Sequence, residues 1–144
     1  MVTSKPREKC YASAMRMLVR REHSTLELTN KLTAKEFDQD DIDSVISSLI
    51  QKNYQSNERF AAEFIQMRFN QGKGPIKISL DLKQRGIDQF DLSEFDFYAL
   101  AYKIRQQKFG QVVPSDFKEK AKQQRFLQSR GFSFEHISQS FKTA

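Results

Sequence analysis

The sequence predicts an all-α fold of about nine helices in three tandem three-helix repeats, an elongated array that can curve. Three observations predict it. Apolar residues recur at helical spacing almost throughout, cap and terminator residues stand where such helices would start and stop, and blocks of sequence recur at shifts of fifty and forty-five residues.

The helical period is clearest in Tyr11, Ala14, Met15, Leu18 and Val19, in Ile42, Val45, Ile46, Leu49 and Ile50, and in Phe97, Leu100, Ala101 and Ile104. Strand-like alternation is scarce. Ser24 followed three residues later by Glu27 makes a capping box, and Gly74-Pro75 places proline at a first helical position. Gly86 and Gly131 are placed to end helices in the left-handed conformation that alanine resists. The predicted helices are 8–21, 25–36, 39–52, 57–70, 75–85, 89–94, 95–109, 115–130 and 134–141.

A shift of fifty residues lays Ser24-Thr25-Leu26 over Gly74-Pro75-Ile76, Leu28 over Ile78, Leu32 over Leu82, and Phe37-Asp38-Gln39 over Ile87-Asp88-Gln89. A further shift of forty-five lays Leu82 over Leu127 and Arg85-Gly86-Ile87 over Arg130-Gly131-Phe132. The expected organisation is a tail over residues 1–8 and three-helix repeats over 9–54, 55–94 and 95–144.

Composition bounds the function classes. With 38% hydrophobic and 12% aromatic residues, the 144-residue chain has enough apolar material for packed cores. No apolar run approaches the roughly 20 residues of a membrane span, and the N-terminus lacks a signal-peptide core, so a cytoplasmic protein is expected. The single cysteine, Cys10, is expected to be a buried, inert thiol. The net charge of +6 is uneven: residues 1–23 carry +4, residues 24–98 carry −4 and residues 99–144 carry +6. Basic ends suit a polyanion or an acidic protein groove.

Sites for chemistry are few. His23 and His136 stand far apart and outside any metal-spaced cluster, so no metal and no cofactor are expected. The acids of Asp38-Gln39-Asp40-Asp41-Ile42-Asp43 suit the positive end of a helix dipole better than acid–base or metal work. Gly72-Lys73-Gly74-Pro75 lacks the Gly-Lys-Ser/Thr ending of a phosphate loop and reads as a helix–helix turn. Phe60, Phe64, Phe69, Phe90, Phe95 and Phe97 sit at helical spacing and are expected in the core rather than stacked on bases. The basic clusters are harder to assign to solvation. Arg16, Arg20 and Arg21 gather at the end of the first helix, and Lys118, Lys120, Lys122 and Arg125 crowd the eighth.

One stretch is specific. Tyr54-Gln55-Ser56-Asn57-Glu58-Arg59-Phe60, then Phe64-Ile65, Arg68, Gly72, Gly74-Pro75, Ile78, Leu82 and Gly86-Ile87 resemble the central signature of the RecX family. Ala14-Met15-Arg16-Met17-Leu18 with His23-Ser24-Thr25-Leu26-Glu27-Leu28 resembles that family's first unit, and Arg125-Phe126-Leu127 with Arg130-Gly131-Phe132 its last. Ser56-Asn57 departs from the pair of acids that many relatives carry there, and either residue can still cap the fourth helix.

The resemblance implies a non-enzymatic regulator that binds RecA and RecA–DNA filaments and inhibits filament extension, ATP hydrolysis, strand exchange and co-protease activity. Its partners would be the RecA filament and DNA, directly or through the filament, with no membrane and no small-molecule substrate, and a monomer is expected. Candidate contacts are Arg16, Arg20, Arg21, Arg59, Arg68, Lys73, Lys118, Lys120, Lys122 and Arg125. For Arg59 a partner contact and an internal bond to an acid such as Asp43 stand as equal alternatives. Two other classes compete: a DNA-binding protein that covers the strand, suggested by a pI near 9.5, and an enzyme acting through Asp38 to Asp43.

Overall fold

The structure, a computed structural model, describes residues 5–142. It is all-helical among those residues, with eight helices: α1 (Lys5–Arg20), α2 (Thr25–Ala34), α3 (Gln39–Gln51), α4 (Asn57–Asn70), α5 (Pro75–Gln84), α6 (Phe97–Phe109), α7 (Phe117–Ser129) and α8 (Phe134–Ser140). The first helix begins at Lys5, inside the stretch expected to be a tail; residues 1–4 of that tail lie outside the described residues. The helix expected over 89–94 is absent. There Ser93 donates its N–H to the Asp91 side chain and Phe95 donates to the Leu92 carbonyl, closing a local turn. Six residues are too few to offset the cost of helix nucleation, so this side-chain alternative wins.

The described chain divides into two compact units, one running to Phe64 and including Leu82–Phe90, the other made of Ile65–Asp81 and the chain from Asp91. The division falls inside α4 and α5, so the middle segment, expected as a repeat of its own, supplies residues to both.

In the first unit α1, α2 and α3 pack against one another. Cys10, Ala14, Leu28, Leu32, Ile42, Val45, Ile46 and Leu49 form the core, flanked by Tyr11, Met15, Leu18 and Phe37. Each large aliphatic side chain buried this way contributes about 1.5–3 kcal/mol. Burial pushes the Cys10 thiol above its ordinary value, and the Asp41 charge adds to that. Asp41 itself is buried and accepts a 2.9 Å bond from Arg7, which assigns this acid of the 38–43 run to an ion pair. The capping box at Ser24 and Glu27 is present in both directions. Ser56 caps α4 by accepting from the Arg59 N–H, while Asn57 accepts from the Thr25 N–H and ties α4 to the start of α2.

In the second unit α6, α7 and α8 pack together around Phe97, Leu100, Ala101, Leu127, Phe132, Ile137 and Phe141. Phe69, Phe95 and Phe97 meet ring to ring, with centroids 5.0 and 5.4 Å from Phe69. His136 replaces the usual acid of a capping box, its Nδ1 lying 2.7 Å from the Ser133 hydroxyl and facing the Ser133 N–H.

One helix terminator recurs at the aligned position of all three repeats, and it also ends α3 at Tyr54 and α4 at Lys73. Phe37, Ile87 and Phe132 each donate an N–H to the carbonyl five residues back, on Leu32, Leu82 and Leu127. The residue before each has positive φ: Glu36 at 66°, Gly86 at 80° and Gly131 at 93°. Only the last two are glycine, for a packing reason. A Cβ on Gly86 would stand 2.9 Å from the Leu26 Cβ, and one on Gly131 would overlap Lys77, whereas Glu36 carries its side chain exposed.

Candidate functional site: exposed cations and a basic cluster

The cations singled out from sequence separate into three kinds of surroundings. Arg16 and Arg20 are one turn apart on the exposed face of α1 and, with Lys35, line a cavity of about 520 Å³ that also exposes Met15, Met17 and Val19. Lys118, Lys122 and Arg125 form an exposed stripe along α7 with no ion pair among the described residues. Lys120 points elsewhere, its ammonium 5.5 Å from the Phe141 ring centroid. Phe117 and Phe134, at the first positions of α7 and α8, are more than four-fifths exposed. Sequence reasoning missed both, because helical period predicts a face and not which faces find a partner.

Arg21 and Arg59 are engaged within the fold. Arg21 grips both Glu27 oxygens at 3.1 Å, and Arg59 donates to Glu22 at 2.9 Å and to Asn53 at 2.9 Å. The acid that holds Arg59 is therefore Glu22 on the α1–α2 turn, not Asp43, whose carboxylate accepts from Gln39. Burial raises the Glu27 carboxyl, but the Arg21 guanidinium and the Ser24 N–H outweigh it and leave it below its ordinary value.

The third setting lies where the α4–α5 turn meets the α7–α8 turn. Gly74 donates its N–H to the Arg130 carbonyl at 2.7 Å, and Ile76 donates to the Gly131 carbonyl at 2.9 Å. Gly74 admits this approach only because it has no Cβ; one would overlap the Gly131 and Phe132 backbone. The two turns bring Arg68, Lys73, Lys77 and Arg130 together with Asp81 as the opposing charge, and Arg68 lies 3.7 Å from Asp81. Burial pushes the Lys73 ammonium below its ordinary value, and the charges of Lys77, Arg130 and Arg68 push it the same way against Asp81. Arg130 also stands over the Phe126 ring at 5.1 Å, and Lys108 lies over the same ring at 5.3 Å. Sequence reasoning named Arg68 and Lys73 and missed Lys77, Lys108 and Arg130. The repeat alignment carried the signal for Arg130, since it lays Arg130-Gly131 over Arg85-Gly86.

The histidines are structural. His23 is buried, its Nδ1 3.0 Å from the Arg21 carbonyl and its Nε2 3.0 Å from the Lys31 ammonium, which fits a neutral ring donating at Nδ1 and accepting at Nε2. Among the described residues no three His, Cys, Asp or Glu side chains gather as a metal site would require. No helix among them is long and apolar enough to cross a membrane.

Residues 10–49, 56–94 and 94–140 match the first, second and third three-helix domains of RecX. The chain belongs to the RecX family. A RecX regulatory protein of Legionella pneumophila (strain Corby) is 39% identical over 140 residues, 93% of each chain. One from Halorhodospira halophila is 34% identical over 131 residues, 87% of this chain and 81% of that one. The fold is also that of a crystal structure of RecX from Lactobacillus salivarius, with a TM-score of 0.81 and 21% identity over 96% of both chains. RecX membership makes this chain a regulatory protein, which agrees with a surface rich in cations.

Proposed function

We propose that this chain regulates the recombinase RecA by binding RecA and RecA–DNA filaments, and that it thereby inhibits filament extension, ATP hydrolysis, strand exchange and co-protease activity. It acts by binding and not by catalysis. The supporting observation is the family match over nearly the whole chain combined with exposed cations on α1 and α7 that have no acid opposite them among the described residues. Such cations favour RecA's acidic groove or the phosphates of the enclosed strand, and several weak contacts on one chain add up by avidity.

The test is RecA ATP hydrolysis on single-stranded DNA, titrated with this protein. Inhibition well below one molecule per RecA supports filament action. Absence of inhibition at any ratio refutes it. The second reading, a protein that simply covers DNA, is favoured by the basic cluster at Lys73 and Arg130; it requires inhibition only at saturating coverage of the strand.

A further inference from the structure

The first unit carries an open apolar groove whose lining charges are all positive. It runs between α1 and the C-terminal end of α2, has a volume of about 520 Å³, and takes its apolar lining from Met15, Met17 and Val19. Arg16 and Arg20 stand on the α1 side, and Lys35, the C-cap residue of α2, stands on the other. No carboxylate lines it. Met15 and Met17 are half-buried at the edge of the α1–α2–α3 core. Val19, in the last turn of α1, is 81% exposed, so the fold itself gains little from an apolar side chain there.

The groove's cations stand outside the ion pairing of their own unit. Arg7, Arg21 and Arg59 hold Asp41, Glu27 and Glu22, whereas Arg16, Arg20 and Lys35 form no ion pair among the described residues. Lys35 is nevertheless fixed. Its ammonium donates to the buried Ser13 hydroxyl at 3.0 Å and has donors to spare beyond that bond. A cation held beside an apolar floor is preorganised for a carboxylate on a chain that also presents an apolar side chain. Surfaces that are apolar in the middle and charged at the rim mark protein contacts, and methionine lets such a floor adapt to the side chain it receives. Other occupants fit less well. A nucleic-acid strand would find no aromatic ring on this floor to stack its bases. A lipid surface needs a broad apolar helix face, and α1 buries its own, with Cys10 and Ala14, in the core.

We propose that the groove between α1 and the end of α2 docks an acidic amphipathic segment of a partner protein, with an apolar side chain seated on Met15, Met17 and Val19 and carboxylates held by Arg16, Arg20 and Lys35. The proposal deepens the reading of this chain as a filament regulator by naming a surface and the chemistry it takes, and it rests on that reading only for which protein supplies the segment. The floor and the rim make separate contributions. Apolar burial is insensitive to salt, while the rim contacts weaken as salt rises.

The test is fluorescence anisotropy of a labelled helical peptide, with leucines on one face and glutamates beside them, titrated with the full chain. Val19→Ser is expected to weaken binding about tenfold through the floor. Arg16→Gln with Arg20→Gln is expected to weaken it about tenfold through the rim and to lessen its salt dependence. All three positions are exposed, so the thermal midpoints should stay level. Ile50→Ser, at an exposed apolar position of α3, is the control and should leave affinity within about twofold. Polyglutamate, which offers charge without an apolar anchor, should bind more weakly than the peptide and ignore Val19→Ser. Failure of the wild-type chain to bind the peptide overturns the proposal, as does unchanged affinity in either groove variant or an equal loss in Ile50→Ser. An oligothymidylate that displaces the peptide and itself loses affinity in Val19→Ser assigns the groove to nucleic acid and overturns the protein assignment. RecA inhibition is read separately: a wild-type chain that never inhibits RecA removes the functional reading, whereas the peptide titration still decides the groove.

Discussion

Replacing Gly131 with alanine is expected to destabilise the fold by about 2–6 kcal/mol, because two separate penalties fall on one atom. Gly131 has φ of 93°, where a side chain costs about 1–3 kcal/mol in strain. The new Cβ would also stand 2.7 Å from the Lys77 nitrogen and overlap the Lys77 Cβ, and forced overpacking of this kind costs about another 1–3 kcal/mol. Two further glycines separate the terms. Gly110, with φ of 88° and nothing within 4 Å of an added methyl, carries the strain alone. Gly74 has ordinary φ but would collide with the Gly131 and Phe132 backbone, so its alanine carries the collision and threatens the 2.7 Å bond to the Arg130 carbonyl. Urea unfolding followed by circular dichroism, with slopes compared among the three variants, measures each loss. The reasoning is refuted if Gly131→Ala loses no more than Gly110→Ala, or if Gly74→Ala is neutral, since either result means the two turns do not meet as described.

Burial pushes both His23 and His136 below the ordinary histidine value of 6.5, so both favour the neutral ring in the fold. The unfolded chain then binds more protons below that value, and the stability contributed by neutral burial is complete above about pH 6.5 and declines as pH falls through it. Urea midpoints at pH 7.5 and 5.5 should show the decline, and His23→Gln with His136→Gln should flatten it; equal wild-type midpoints would count against the buried neutral rings. Reversing Lys118, Lys120, Lys122 and Arg125 to glutamate should leave helicity intact and abolish RecA inhibition, since each contact is worth about 1 kcal/mol and several must be reversed together. Wild-type inhibition by that folded variant would make the α7 stripe a solvated face. Cys10, fully buried with its thiol held protonated, should react with a thiol reagent at a negligible rate until the chain is unfolded, and rapid reaction in the native protein would contradict the packing of α1.

Much of the architecture was legible in the sequence because it rests on local rules. Helical period, the Ser24 capping box, the proline at the start of α5 and the terminators at Gly86 and Gly131 depend on a few neighbouring residues, and each is present as read. The same locality explains the failure at 89–94. A period over six residues looks helical whether or not the segment is long enough to nucleate, and the Asp91 side chain gives the backbone a competing partner. Cation-rich segments were legible too, but not the fate of each cation. Arg21 and Arg59 read like Arg16 and Arg20 until the fold places Glu27 and Glu22 against the first two.

The helical class, the repeat register, the family and the segments that carry positive charge all follow from spacing along one chain, so the order of residues was enough to settle them. Packing alone settled which charges remain opposed by acids and which stand together. Lys73 and Arg130 are more than fifty residues apart, and their meeting depends on Gly74 having no Cβ where the backbone of Gly131 must pass. A charge interaction depends on distance in space, and no local pattern encodes a distance that two separate turns create when they pack.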